Sequence, residues 1–193
     1  MKIVHCVESY YPAVGGMQEV VKQLSERLVK LGHTVQVLTR YHEDRNFTEL
    51  NGVQIEQFKI EENPKVAVTA EELRYVSRVE NITADVITFF AAQQWATDLV
   101  LHSLPKLKAK KVSVPTGYSG LYKAEFKQYF ENMRQHILHY DMNVYLSNDY
   151  RDINFARENG VKNLTIIPNG AAADEFLPES QIDVRQSLGI KKK

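Results

Sequence analysis

The sequence predicts a doubly wound α/β fold with a mainly parallel sheet of about seven strands. Short apolar runs typical of buried strands recur along the 193-residue chain, and helical patterns or loops with Gly and Pro separate most of them. The first unit reads strand, glycine loop, helix and strand, which is the βαβ pattern of a parallel sheet. This alternation is typical of sheets covered by helices.

The first unit begins with a predicted buried strand over Ile3–Val7. A loop with one Pro and two Gly covers Glu8–Gly16 and leads into a helix from about Met17 to Leu31. The apolar positions of that helix trace one face: Val20, Val21, Leu24, Leu28 and Leu31. Gly32 follows, as is usual after a helix, and Thr34–Leu38 is the next strand.

The alternation continues to the end of the chain. Further strands are predicted over 53–58, 85–90, 111–114, 142–146 and 164–167, and helices over 71–81, 94–104, 122–139, 149–159 and 181–188. The strand at 53–58 alternates apolar and polar residues after the Asn51-Gly52 turn, so it is predicted to lie at a sheet edge.

The composition excludes several classes of protein. Lys plus Arg and Asp plus Glu both number 24, a balance that argues against a nucleic-acid binder. Cys6 is the single cysteine and lies in an apolar run, so we expect a buried side chain and a cytoplasmic protein. No apolar run reaches the ~20 residues that span a bilayer. The histidines and Cys6 show no metal-ligand spacing, so we predict no metal site.

Four loops follow predicted strands and are candidates for a ligand site, because open α/β sheets bind ligands outside the carboxyl ends of their strands. They are Glu8–Gly16, Ala91–Gln94, Pro115–Gly120 and Ser147-Asn148. The first precedes a helix N-terminus, where free backbone N–H groups and the helix dipole favour an anion such as a phosphate. Gly15 and Gly16 would let that anion approach closely; the alternative is a turn that needs positive φ.

The other loops offer groups suited to a sugar. Thr116, Gly117, Tyr118 and Ser119 follow one buried strand, and Gln93-Gln94 follow another. Hydroxyls, amides and a flat ring are typical of sites for polyhydroxylated ligands, although a well-capped turn would look the same. Aromatic and basic residues alternate on the long predicted helix and suit either a packed face or an anionic membrane surface: Tyr122, Lys123, Phe126, Lys127, Tyr129 and Phe130.

Three motifs in this order resemble the N-terminal half of GT-B glycosyltransferases of the retaining GT4 group. The first is Tyr10-Tyr11-Pro12 followed by Gly15-Gly16 and Glu19; the second is Val144-Tyr145-Leu146-Ser147. The third is Ile166-Ile167-Pro168-Asn169-Gly170, with Phe176 and Pro178 beyond it. Together they cover nearly the whole chain.

The resemblance implies two Rossmann-like domains that face each other across a cleft. It implies transfer of a sugar from a nucleotide-diphosphate donor, with retention, without a cofactor or metal, for example in surface polysaccharide synthesis. Gly15 and Gly16 would contact the donor diphosphate. We expect Gln93, Gln94, Thr116, Gly117, Tyr118 and Ser147 to contact the acceptor or sugar. Many members have a histidine where this chain has Pro115-Thr116-Gly117, so that residue's role is not carried over.

Residues 1–168 are therefore predicted to form the acceptor-side domain, with Pro168, Asn169 and Gly170 as a hinge and 169–193 as the start of a linker. A C-terminal donor-binding domain would follow, and the fragment alone would be inactive. The expected partners are a nucleotide sugar and a glycan or lipid-linked acceptor, at the inner face of the membrane. Two alternatives stay open: a non-catalytic glycan-binding module of this fold, or half of a sugar-nucleotide epimerase.

Overall fold

A computed structural model describes residues 1–61, 68–171 and 184–190. Its strands are β1 (Lys2–Cys6), β2 (Thr34–Arg40), β3 (Glu49–Leu50), β4 (Val53–Phe58), β5 (Val86–Phe90), β6 (Lys110–Val114), β7 (Met142–Tyr145) and β8 (Leu164–Ile166). They form one sheet in the order β3-β4-β2-β1-β5-β6-β7-β8. Every pair is parallel except β3 with β4, so the predicted doubly wound, mainly parallel sheet is confirmed.

The helices connect these strands. They are α1 (Gly16–Lys30), α2 (Ala70–Glu80), α3 (Trp95–Asp98), α4 (Lys127–His136), α5 (Arg151–Glu158) and α6 (Val184–Ser187), with 3₁₀ turns at Leu101–Lys106, Ala124–Phe126 and Ile137–His139. The bounds of α1, α2 and α5 lie within two residues of the sequence prediction.

The two faces of the sheet carry separate cores. On one face, the main core packs side chains of α2, α4 and α5 against β1, β5 and β7; it includes Tyr75, Phe130, Ile153, Phe89 and Tyr145. On the other face, Val21 of α1 packs with Val35 of β2 and Val53 of β4. From β1 to β2 the sheet grows toward one edge, whereas β5, β6, β7 and β8 are added one after another on the other side of β1. Right-handed crossovers therefore place their helices on the opposite face from α1.

Three predictions of elements were wrong in part. The helix expected over 94–104 is the short α3 followed by a 3₁₀ turn, because Pro105 lacks an N–H and its ring crowds the preceding turn. The helix expected over 122–139 is α4 with a 3₁₀ turn at each end. The strand at 53–58 is not the edge: Asn51 (φ 49°) and Gly52 (φ 80°) form a hairpin turn, and β3 takes the edge.

Candidate functional site

A half-open groove of about 680 Å³ runs between α1 and the β5, β6 and β7 strands. The sheet side is mainly apolar, and the α1 side carries Glu19, Gln23 and Arg27. The groove reaches the carboxyl ends of the strands, where Gly16 lies at one wall and Pro168–Gly170 at the other. The structure therefore brings together two of the predicted site segments.

Gly15 and Gly16 form the N-terminus of α1. Gly15 is the N-cap in extended conformation (φ 173°), and no side chain caps the helix. Neither glycine lies in the left-handed region, so the alternative of a turn that needs such a φ is wrong. A Cβ on Gly16 would meet no atom within 4 Å. A Cβ on Gly15 would lie 2.3 Å from Gln18 Oε1, so the Gln18 side chain lies beside the first glycine. No described side chain accepts a hydrogen bond from the first N–H groups of α1, and free N–H groups at a helix N-terminus suit an anion.

The loop that carries these glycines is fixed by a buried arginine. Arg45, only 4% exposed, donates hydrogen bonds to the carbonyls of Tyr10, Tyr11 and Arg40 at 2.7 Å each and to Gln57 Oε1 at 2.9 Å. Burial lowers the pKa of Arg45 to about 10, so it stays charged at neutral pH. These bonds fix the backbone at Tyr10 and Tyr11, at the start of the loop that leads to Gly15.

The predicted hinge follows β8 directly. The Ile167 N–H donates to the Tyr145 carbonyl at 2.9 Å, so pairing extends one residue past the strand, and the three hinge residues are exposed. The motif residues Asp174–Pro178 lie outside the described residues.

A second region lies at the same edge of the sheet, where the loops after β5 and β6 meet. Ala91 and Gln93 (both φ 59°) and Thr116 (φ 57°) occupy the left-handed region, which is unusual for residues with a Cβ and most unusual for a β-branched one. Backbone strain of this kind clusters at functional sites.

Hydrogen bonds join these two loops. Gln93 Oε1 accepts from the Gly120 N–H at 3.1 Å, and the Gln93 N–H donates to Tyr129 Oη at 3.0 Å. A Cβ on Gly120 would lie 2.4 Å from Gln93 Nε2 and 2.5 Å from Phe126, so only glycine fits there. Gln93 is therefore occupied by structural contacts through its N–H and Oε1, whereas the buried Oε1 of Gln94 has no partner among the described residues.

The network ends on the half-buried carboxyl of Asp98. Tyr129 Oη donates to Asp98 Oδ1 at 2.8 Å. Burial raises the pKa of Asp98 to about 6, despite hydrogen bonds from Tyr129 and the Gln93 backbone that lower it. The same burial raises the pKa of Tyr129. Asp98 thus titrates nearer to neutral pH than an ordinary aspartate.

Tyr118, a predicted contact of the acceptor or sugar, is not accessible from the loop surface. It is 1% exposed, and its ring packs edge-on against Phe130 and Phe155 at 5.1 and 5.4 Å between centroids. The ring is part of the main core because its apolar faces pack against aromatic side chains of α4 and α5. Thr116 and Ser147 are exposed, as expected, and Gly117 is partly so.

Sequence reasoning did not single out Arg45 or Asp98, and it considered Tyr129 only as part of a packed or membrane-facing helix. It also missed Asp152 and Arg151, which hydrogen-bond to Gly117 and Ser119 in the loop after β6. Their roles depend on contacts with distant loops, and no local spacing marks such contacts. Asp152 offered a weak signal, since an acidic residue in the first turn of a helix is a common capping group.

The single cysteine of the chain is unreactive. Cys6 is fully buried, and burial raises the pKa of its thiol to about 12, which confirms the predicted buried side chain. Among residues 1–61, 68–171 and 184–190, no group of three or more His, Cys, Asp or Glu could hold a metal ion. No helix in the described part of the chain is both long and apolar enough to span a membrane.

Comparison with known proteins extends this picture. A family model described as Glycosyltransferase Family 4 matches residues 14–175. Sucrose-phosphate synthase from Thermosynechococcus elongatus has a TM-score of 0.69 at 13% identity, over 98% of this chain and 53% of its own. A glycosyltransferase from Rickettsia africae ESF-5 has a TM-score of 0.66 at 16% identity, and the match covers 99% of this chain and 50% of that protein. WaaG, a glycosyltransferase involved in lipopolysaccharide biosynthesis, has a TM-score of 0.62 at 17% identity, and the match covers 98% of this chain and 52% of that protein.

No curated protein matched the sequence. The chain spans about half the length of the solved structures above. At these identities the structural likeness shows the fold, and the family match over most of the chain shows the family. The protein belongs to glycosyltransferase family 4, and its fold is the Rossmann-like N-terminal half of a GT-B glycosyltransferase.

Proposed function

We propose that this chain is the acceptor-side half of an enzyme that transfers a sugar, with retention, from a nucleotide-diphosphate donor to a glycan or lipid-linked acceptor. A role in surface polysaccharide synthesis, at the cytoplasmic face of a membrane and without a metal cofactor, is part of this proposal. Residues 1–168 would form the domain and Pro168–Gly170 its hinge to the second half.

The observation that carries the proposal is the uncapped N-terminus of α1. No described side chain caps its first N–H groups, and Gly16, where a Cβ would meet no atom within 4 Å, lines a groove at the carboxyl edge of the sheet. A donor diphosphate placed there would satisfy N–H groups that have no side-chain acceptor and would lie at the positive end of a 15-residue helix.

The acceptor would lie beside it, over the loops after β5, β6 and β7. Gln94, Thr116, Gly117 and Ser147 remain our predicted contacts there, with Gln93 supporting them through its hydrogen bonds to the neighbouring loop. The second half of the enzyme would supply most donor contacts, so the 193-residue chain alone should bind weakly and turn over nothing.

Titration of the ¹⁵N-labelled chain with UDP, GDP and uridine tests the diphosphate contact. We expect both diphosphates to shift the amide signals of Gly15 and Gly16, and uridine to leave them unchanged. Gly16→Ala adds a methyl group in open space and should weaken the response at least severalfold without loss of fold. Gly32→Ala, at a distant helix end, is the matched control and should respond as the unaltered chain does.

Unchanged Gly15 and Gly16 signals at about 10 mM diphosphate, where a millimolar Kd would saturate, would refute the contact. An assay of sugar transfer from a panel of nucleotide sugars tests the need for the second half. Turnover by the 193-residue chain would contradict it.

A further inference from the structure

A cationic aromatic surface stands at the rim of the site, formed by Tyr122, Tyr150 and Arg151; we name it the rim patch. Tyr122 is 81% exposed and Tyr150 50% exposed, so two large rings are held in solvent. The Arg151 guanidinium carbon lies over both rings, 5.9 Å and 5.8 Å from their centroids. A cation between two ring faces is stabilised by their quadrupoles.

The rim patch is attached to the loop after β6 by three contacts. Arg151 Nη1 donates to the Ser119 carbonyl at 3.3 Å, and the Gly117 N–H donates to Asp152 Oδ2 at 2.9 Å. The Tyr150 ring covers Gly117 so closely that a Cβ there would lie 2.9 Å from its Cε1. The start of α5 and this loop therefore form one unit, which holds Thr116 in its strained conformation.

The charge of Arg151 has no carboxylate partner among the described residues. The two nearest carboxylates along the chain are engaged elsewhere. Asp152 is 4% exposed and accepts from the N–H groups of Gly117 and Ile153, and Asp149 Oδ1 accepts from Asn154 Nδ2 at 2.8 Å. Guanidinium N–H groups of Arg151 remain available, in a planar arrangement that matches phosphate and carboxylate oxygens.

We propose that the rim patch binds a negatively charged sugar of the acceptor, with its phosphate or carboxylate on Arg151 and the apolar face of its ring on Tyr122. This inference rests on the proposed function, because it takes the acceptor to lie over these loops. It adds the chemical class of the acceptor: an anionic saccharide rather than a neutral one.

Two features favour a saccharide over a membrane surface as the occupant. The rings flank the cation instead of projecting together as an apolar wedge. Phe126 on the 3₁₀ turn before α4, and Tyr129 and Phe130 on α4, pack inward with the core. An exposed tyrosine ring beside a planar cation suits one small, flat, charged ligand.

Titration of the ¹³C,¹⁵N-labelled 193-residue chain with glucose 6-phosphate, glucuronate and glucose tests the proposal. We expect both anionic sugars to shift the Arg151 Nε–H and Tyr122 ring signals, and glucose to bind at least tenfold more weakly. Arg151→Gln should weaken anionic-sugar binding at least tenfold. Arg151→Lys should recover part of it, because the charge is kept and the planar donor set is lost. Arg134→Gln on α4 removes the same charge elsewhere and should change nothing.

Several outcomes would overturn the rim patch as a saccharide site. These are equal binding of glucose, unchanged binding by Arg151→Gln, a response to inorganic phosphate as strong as to the sugar phosphate, and no binding of either anionic sugar. Binding to anionic vesicles that the free sugars do not compete away would assign the patch to a membrane instead. Failure here leaves the diphosphate response of Gly15 and Gly16 intact, so it is distinguishable from failure of the proposed function.

Discussion

The Asp152 carboxylate accepts a hydrogen bond from the Gly117 N–H at 2.9 Å and thereby joins the first turn of α5 to the loop after β6. Its other oxygen accepts from the Ile153 N–H at 2.9 Å, and the side chain is 4% exposed. Asp152→Asn places an amide NH₂ against one of two N–H donors. We expect urea unfolding to show a loss of about 1–3 kcal/mol, the usual penalty for an unsatisfied buried group.

Asp149→Asn is the matched control for that loss. Asp149 is exposed, and in the described structure its carboxylate accepts only from the Asn154 side chain. Asp149→Asn should change the free energy of unfolding by no more than about 0.5 kcal/mol. Equal effects of the two variants would contradict a special role for the contact between Asp152 and Gly117.

Arg45 should be irreplaceable by lysine. Its guanidinium donates to four acceptors spread over the Tyr10, Tyr11, Arg40 and Gln57 positions, and an ammonium cannot reach them all. We expect Arg45→Lys to lower the free energy of unfolding by about 2–4 kcal/mol, because buried carbonyls lose their donors. Arg27→Lys, at an exposed position on α1, should change it by less than about 0.5 kcal/mol in the same urea titration.

Two glycines should respond in opposite directions to alanine. Gly16 begins α1 without positive φ and with open space around it, so Gly16→Ala should leave stability unchanged or raise it by up to about 0.5 kcal/mol. Gly32 has φ +84°, where a Cβ is strained, so Gly32→Ala should cost about 1 kcal/mol. Thermal unfolding compares the two; a large loss for Gly16→Ala would mean that the glycine serves the fold itself.

Asp98 should destabilise the fold at neutral pH. Its native pKa, raised to about 6 by burial, lies above the unfolded value of 3.8, so the native state binds its proton first and this contribution to stability grows as pH falls from 6 toward 4. Asp98→Asn removes the buried charge while its Oδ1 can still accept from Tyr129. We expect it to raise stability at pH 7.5 by up to about 3 kcal/mol.

As the pH falls toward 4, His5 changes the stability of the fold in the opposite direction from Asp98. It is fully buried, and burial lowers its pKa from 6.5 to about 4, so its contribution to stability is complete above 6.5 and is lost as pH falls toward 4. The two contributions partly cancel in the unaltered chain. In Asp98→Asn the loss from His5 should be unmasked, as a fall of about 3 kcal/mol between pH 6.5 and 4. Parallel pH profiles for the two proteins would contradict the assignment for Asp98, and a flat profile of Asp98→Asn between pH 6.5 and 4 would contradict that for His5.

The sequence by itself determined the α/β class, the parallel β1–α1–β2 unit and the strand ends at which the site lies. These features follow from local periodicity and from Gly and Pro positions, which a single segment carries without its neighbours. It also predicted Gly15 and Gly16 at a helix terminus that could bind an anion, and the structure places both glycines at the N-terminus of α1. The ligand contacts themselves remain predictions.

The tertiary structure decided which side chains meet. Asp98 and Tyr129 are 31 residues apart in the chain, and Asp152 and Gly117, like Arg45 and Tyr10, are 35 apart. Only the order of the strands brings these pairs to one edge of the sheet. The same reason explains Tyr118, which stands in a loop rich in hydroxyls and glycine yet faces a core built by α4 and α5. Periodicity specifies the face of an element, but the partner on that face depends on the topology of the whole chain.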